Sequence, residues 1–249
     1  MALCPRLSLP QSLVRFSTYT SSKHYLTNLF QTEYGYPRNL AHLAKAIRQP
    51  KFPLALRSFL FMYDRPNQRP PRQLEDFPPF EADIKVYHSA VAVFYAPSEL
   101  CGTGGLHRER IRSNPSFHGH KRRDTVFVVL DDSKNGMEGM EIGRVLLFFS
   151  FHYRRKDFSC ALINWFVHDE ERDRDTGMWT VQLECDRTGQ PTVQVIELDT
   201  IVRGAHLLPV YGSSRIPDDF SHHDALDSFD SFFVNHFIDQ HAHELMTAL

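Results

Sequence analysis

The sequence predicts an α+β protein with an antiparallel β-barrel-like core, preceded by an N-terminal helix pair and followed by a long C-terminal helix. Three patterns carry that expectation. Apolar residues recur at helical spacing from Leu40 to Tyr63, alternate at period two over much of Ile84 to Tyr211, and return to helical spacing after His222. Twenty Phe, nine Tyr and two Trp among 249 residues supply bulky apolar side chains, so aromatic packing is expected to dominate the core.

Residues 1–33 read as a leader or linker. The first 32 contain Arg6, Arg15 and Lys23 but no acid, which loosely resembles a mitochondrial presequence. Residues 34–79 read as a helical hairpin and a Pro-rich connector. Asn39 is placed to cap a helix whose Leu40, Leu43, Ala44 and Ile47 share one face and which stops before Pro50. A second helix is expected from Pro53, where a missing N–H is tolerated, with Leu56, Phe59, Leu60 and Tyr63 on its apolar face. Five prolines between Arg65 and Pro79 then bar both helix and central strand, and mark a domain boundary.

Residues 80–213 are assigned to the β-barrel-like core. Strands are expected at Ile84 to Ala96, Thr125 to Leu130, Gly143 to Tyr153, Phe158 to His168, Met178 to Glu184 and Val193 to Leu198. Polar turns such as Arg154 to Asp157 and Asp186 to Gln190 separate them and suit antiparallel neighbours. Five or six such strands suffice to close a small barrel, which is preferred here to a sandwich. Asp199 to Leu207 has a short helical look, and Leu208 to Gly212 reads as a terminal strand. Residues 214–249 form the C-terminal helical extension, with one helix from His222 to Leu245 turning Leu226, Phe229, Phe233, Phe237 and Leu245 to the core.

Lys and Arg number 28 against 30 Asp and Glu, a formal net charge of -2 that excludes a globally basic nucleic-acid binder and leaves local patches to be found. Cys4, Cys101, Cys160 and Cys185 form no CxxC pair, which argues against a zinc ribbon and fits a reducing compartment. No apolar run approaches the ~20 residues of a spanning helix, so no membrane partner is expected.

The most polarised segment is His107 to Arg123. Its Arg108, Arg110, Arg112, Lys121, Arg122 and Arg123 face one acid, Glu109, and they are the candidate nucleic-acid-binding residues. Gly102-Thr103-Gly104-Gly105 precedes them and is able to bring backbone N–H groups near a phosphate, although it matches neither a Walker loop nor a dinucleotide fingerprint. The competing reading is a solvated, ion-paired surface loop.

Other constellations are incomplete. His222, His223, His236, His241 and His243 crowd the C-terminal segment with Asp239, but a tetrahedral metal needs three or four convergent ligands at usable spacing. His118 and His120 flank one glycine and suggest only a conceivable proton-shuttling nuclease. Asp169 to Asp175 is interleaved with arginines and lacks EF-hand spacing. Gly212-Ser213-Ser214 lacks a nucleophile elbow, and a cysteine nucleophile, Cys101 or Cys160, would need a distant histidine. No cofactor and no metal are implied.

Several longer motifs carry a resemblance. Phe94-Tyr95-Ala96-Pro97-Ser98, Cys101 to Gly105, His107 to Arg112, Asp175-Thr176-Gly177-Met178-Trp179 and Ala205 to Gly212 resemble the C-terminal region of Plavaka-type transposon proteins, CACTA-related elements of mushroom-forming fungi. The likeness runs from about Tyr34 to about Leu245. It implies a mobile-element origin, handling of DNA and residence in the nucleus, with mitochondria as the alternative suggested by the acid-free leader. It also implies that the acidic nuclease core lies upstream, so no catalytic carboxylate carries over to this chain. A second resemblance, to bromo-adjacent-homology/SH3-like modules, rests on Val193 to Leu198 leading to a closing strand at Leu208 to Tyr211, and implies a chromatin or protein partner.

These readings lead to a non-enzymatic accessory domain that binds nucleic acid or a chromatin protein. The alternatives are a metal-dependent nuclease-like enzyme using His107, His118, His120 or the C-terminal histidines, and a structural domain that packs on an upstream transposase core.

Overall fold

The computed structural model of the chain describes residues 26–71, 73–97, 103–212, 216 and 220–247. Most of the expected leader, Cys4, Cys101, Gly102, Ser213 and Ser214 lie outside them. The end of the expected leader is a strand, β1 (Leu26–Glu33), paired antiparallel with the strand that follows the helices.

The helix pair forms where capping and spacing place it. In α1 (Leu40–Ala46) the Asn39 side chain accepts the Ala41 and His42 N–H groups at 3.0 and 3.4 Å, and Leu40, Leu43 and Ala44 are buried. In α2 (Phe52–Asp64) a proline occupies the first turn and Phe52, Leu56 and Leu60 are buried. Phe52 meets Phe149 edge-on at 5.1 Å, and Phe59 and Tyr63 meet Phe158 at 5.8 and 5.0 Å. Burying each such ring is worth about 1.5–3 kcal/mol. Both helices therefore share one core with the sheet.

The remaining strands are β2 (Ile84–Tyr95), β3 (Leu106–Phe117), β4 (His120–Arg123), β5 (Thr125–Val129), β6 (Met140–Tyr153), β7 (Lys156–His168), β8 (Thr180–Leu183), β9 (Val193–Glu197), β10 (Ile201–Ala205) and β11 (Leu207–Pro209). They are followed by α3 (Ala225–Ser228), β12 (Ser231–Val234) and α4 (Gln240–Thr247). Among the described residues the twelve strands join one sheet, ordered β11-β12-β8-β7-β6-β2-β3-β4 with β1, β5, β9 and β10 branching from it. Every named pairing is antiparallel.

The β6–β7 hairpin is the axis. Its two-residue turn places both Arg154 and Arg155 at positive φ, +47° and +67°, as a type I′ turn requires. One edge of β6 serves two partners, β5 along Met140 to Arg144 and β2 along Phe148 to Phe151, and a register shift between Val145 and Leu147 lies at the fork. The two branches face each other across a second core of Ala90, Ala92, Phe94, Val126, Phe148 and Trp165 with Ile201. No pairing closes the described strands into a ring, so the sheet is open rather than the expected barrel. Where β3 approaches β10, a side chain takes the place of a ladder: the Glu109 carboxylate accepts the Gly204 N–H at 2.9 Å. A Cβ on Gly204 would stand 2.8 Å from that carboxylate, so glycine permits the approach.

Three local expectations are corrected. His107 to Arg123 is a β-hairpin, β3–β4, rather than a loop. Asp199 to Leu207, expected to be helical, is mainly β10, whose β-branched Ile201 and Val202 are buried beside β5. The single C-terminal helix is broken into α3, β12 and α4. Phe232 and Val234 are buried and β12 inserts between β11 and β8, while Phe237, expected in the core, is 66% exposed. Asp, Ser and Asn around Phe229 to Asn235 are poor helix formers, and tertiary pairing decides the outcome. Trp165 is buried, whereas Trp179 is only partly so. No helix among the described residues is long and apolar enough to cross a membrane.

Candidate nucleic-acid interface

All six basic candidates lie on the β3–β4 hairpin. Side chains alternate along β3, so Glu109, Ile111 and Ser113 turn inward while Arg108 and Arg110 are exposed and Arg112 is half-buried. Pro115 falls in the irregular stretch between Asn114 and Phe117, where its missing donor breaks no ladder bond. His118 and Gly119, with φ of +51° and +85°, make the tight turn that returns the chain as β4.

Near the tip, the guanidinium groups of Arg112 and Arg122 lie 5.0 and 5.1 Å from the centroid of the Phe117 ring, each within cation–π reach. Asp124 organises their base: its carboxylate accepts the Arg112 N–H at 2.8 Å and pairs with Arg122 Nε at 2.8 Å. Burial lowers the Arg112 pKa, the charges of Arg122 and Arg110 lower it further, and Asp124 opposes them. Mutual repulsion of this kind marks a positive field that an anion would relieve.

Lys121 and Arg123 belong to an inner cluster. Arg144 on β6 grips Asp227 on α3 with hydrogen bonds of 2.5 and 3.1 Å, and Lys121 Nζ stands 3.5 Å from the same carboxylate. Arg123 is pushed down in basicity by its own burial and then by Arg144, with Asp227 opposing. A cleft of about 330 Å³ runs beside the hairpin, lined by Arg110, Arg122, Arg123 and Arg203 against Glu109 and Asp124. Its residues come from β3, β4, the start of β5, β10, the start of β11, the segment His222 to Leu226 and Ile238 after β12.

The base of the cleft is a buried ionic network. Arg203 forks onto Asp239 at 2.7 and 2.5 Å, approaches Glu109 at 3.6 Å, contacts His241 at 3.1 Å and lies 4.9 Å from the Phe94 ring. His241 stacks on Phe94 at 4.6 Å. This arrangement ties β10 and β3 to α4 and leaves Arg203 too buried to serve as an open phosphate contact.

The histidines do not converge as one site. His223 stacks on His120 at 3.9 Å and lies against His222 at 3.8 Å, His236 and His243 are a separate pair at 5.3 Å, and His241 belongs to the Arg203 network. Among the described residues no group of three or more His, Cys, Asp or Glu side chains is able to hold a metal. In the Asp169 to Asp175 loop, Asp173 is taken up by the Thr176 N–H and hydroxyl at 2.8 and 2.7 Å. Burial raises the Cys160 thiol well above its ordinary pKa, with Glu197 and Asp199 adding to it, so this cysteine is an inert core residue.

Phe117, Asp124, Arg144 and Asp227 are the residues that the sequence reading missed. A signal existed for one of them: an arginine inside the apolar run Val145 to Phe149 and its flank demands a buried anion. No protein-family model matches the chain, and no curated protein matches it.

Proposed function

We propose that the protein is a non-enzymatic accessory domain that binds nucleic acid through the β3–β4 hairpin, derived from a Plavaka-type transposon protein and acting in the nucleus. The motifs from Phe94 to Gly212 support the origin. The observation that carries the binding role is the hairpin itself, which presents Arg108 and Arg110 on an exposed face and gathers Arg112 and Arg122 around Phe117. Such a surface offers cations to phosphates and a ring to unpaired bases, and both are sequence-tolerant contacts. It supplies no recognition helix for the major groove.

Within this reading the six candidates are not equivalent. Lys121 and Arg123 are drawn toward Asp227, so we assign the phosphate contacts to the exposed Arg108 and Arg110 and to Arg112 and Arg122 beside Phe117. Four phosphate contacts give a log–log salt slope near -3.6 on duplex DNA, and the double substitution Arg108→Ala/Arg110→Ala flattens it by about 1.8. Absence of duplex and single-strand binding at low salt would overturn this reading in favour of a chromatin-protein partner.

A further inference from the structure

Asp227 is an acidic side chain set among three cations. We propose that Lys121, Arg123 and Arg144 form an inner phosphate site, and that Asp227 occupies this site as an internal stand-in for a phosphate group. Arg144 has only 9% of its side chain exposed, and among the described residues its buried Nε has no hydrogen-bond partner even while the other two nitrogens hold Asp227. One carboxylate therefore leaves both donor capacity and two positive charges unmatched, whereas a phosphate brings more oxygens and, as a monoester, a second negative charge.

The carboxylate is also placed to leave. Half of the Asp227 side chain is exposed, as is nearly half of Lys121, so solvent reaches the site. Asp227 rides on α3, a helix of four residues with no side-chain cap. That segment is held to β4 by the Lys121–Asp227 pair and the stack of His223 on His120, and to β6 by Arg144, which bonds Asp227 and donates to the Leu226 carbonyl at 3.4 Å. A phosphate binding to the three cations displaces Asp227 and frees α3 from β4. The hairpin thus carries an outer row of arginines and, together with Arg144 of β6, an inner site covered by the protein's own acid. The inference rests on the nucleic-acid reading only for the source of the phosphate.

The test uses the full chain and its D227N variant, with inorganic phosphate as probe and sodium chloride at matched ionic strength as control. Removing the carboxylate leaves Arg144 buried without its anion, so D227N melts lower than the wild type. Phosphate at about ten times its Kd should then raise the D227N melting temperature by about 3–5 °C, and the wild type by less. Adding R144Q to D227N should abolish the response. A D227N protein that responds to phosphate no more than to chloride would overturn the inner site. Should D227N fail to fold, K121Q/R123Q in the wild-type background keeps the Arg144–Asp227 pair, and an unchanged phosphate response there would overturn it equally. Backbone phosphates of duplex DNA are diesters with one charge each, as the carboxylate has, so they gain the inner site only once that carboxylate is gone: D227N should bind duplex DNA more tightly with a salt slope steeper by about 0.9, one further phosphate. Phosphate stabilisation of D227N with no DNA binding by either protein would uphold the site and remove nucleic acid as its source.

Discussion

The guanidinium of Arg203 on β10 is forked onto the carboxylate of Asp239, which at the same time accepts the Ala242 N–H at 2.7 Å and so caps α4. With 6% of its side chain exposed, Arg203 depends on that carboxylate. Asp239→Ala should destabilise the fold by about 2–4 kcal/mol, because it removes both forked hydrogen bonds and leaves the buried guanidinium only the Glu109 carboxylate, 3.6 Å away, whereas Asp239→Asn retains an acceptor and costs less. Urea unfolding measures both. A loss under 1 kcal/mol for the alanine variant would show that the pair does not hold α4 in place.

The same carboxylate sets an acid limit. Burial works to raise the Asp239 pKa, but hydrogen bonds from Arg203 and the Ala242 amide outweigh it and hold the group below its usual value. The Asp227 carboxyl is likewise held down, chiefly by Arg144. A depressed carboxyl contributes stability that is present above its unfolded pKa, about 3.9, and is lost as pH falls through the folded value. Stability should therefore fall below about pH 4, and less steeply in Asp239→Asn.

Glu141 on β6 behaves in the opposite sense. Burial pushes its carboxyl up to about 7, with His168 pulling it down and Glu184 raising it again. A raised carboxyl binds its proton more tightly in the folded state, so its contribution is complete below the unfolded pKa and declines as pH climbs toward 7. Between pH 5 and pH 8 the wild type should lose on the order of 1–3 kcal/mol from this group, and Glu141→Gln should flatten that slope. Equal slopes in the two proteins would place the titration elsewhere.

At the hairpin tip, Phe117→Ala removes the ring that gathers Arg112 and Arg122. Single-strand affinity should drop by about 5- to 100-fold, the equivalent of one lost base stack, while duplex affinity changes less. Thermal stability should hold, since the ring lies outside the three buried clusters. An equal loss on both substrates would reduce Phe117 to a positioning role for the arginines.

Arg155, at φ +67° in the β6–β7 turn, occupies a conformation that glycine adopts without cost. Arg155→Gly should stabilise the protein by about 0.5–1 kcal/mol, relief of backbone strain exceeding the added freedom of the unfolded chain. Arg154 is less suited to the same change, because its guanidinium pairs with Asp64 at 2.9 Å. A melting temperature that falls in Arg155→Gly would contradict the turn assignment.

What the sequence determined by itself was local. Asn39 and the spacing of Leu40, Leu43 and Ala44 specify α1, and Pro53 with Leu56 and Leu60 specifies α2, because a helix is written in neighbours three and four residues apart. Long apolar runs around a polar turn likewise specify the β6–β7 hairpin. The basic segment was legible as charge but not as strand, because its inward face mixes Glu109 with Ile111 and Ser113, and pairing with β2 supplies the missing order. Phe229, Phe233 and Phe237 mimic a helical stripe, yet β12 forms because the edges of β8 and β11 are there to receive it. Tertiary structure alone decided that Arg144 meets Asp227 and that Glu109 meets Gly204, 83 and 95 residues apart. Charge complementarity across such separations leaves no periodicity in the chain; it appears only when the fold has buried one partner and forced it to find the other.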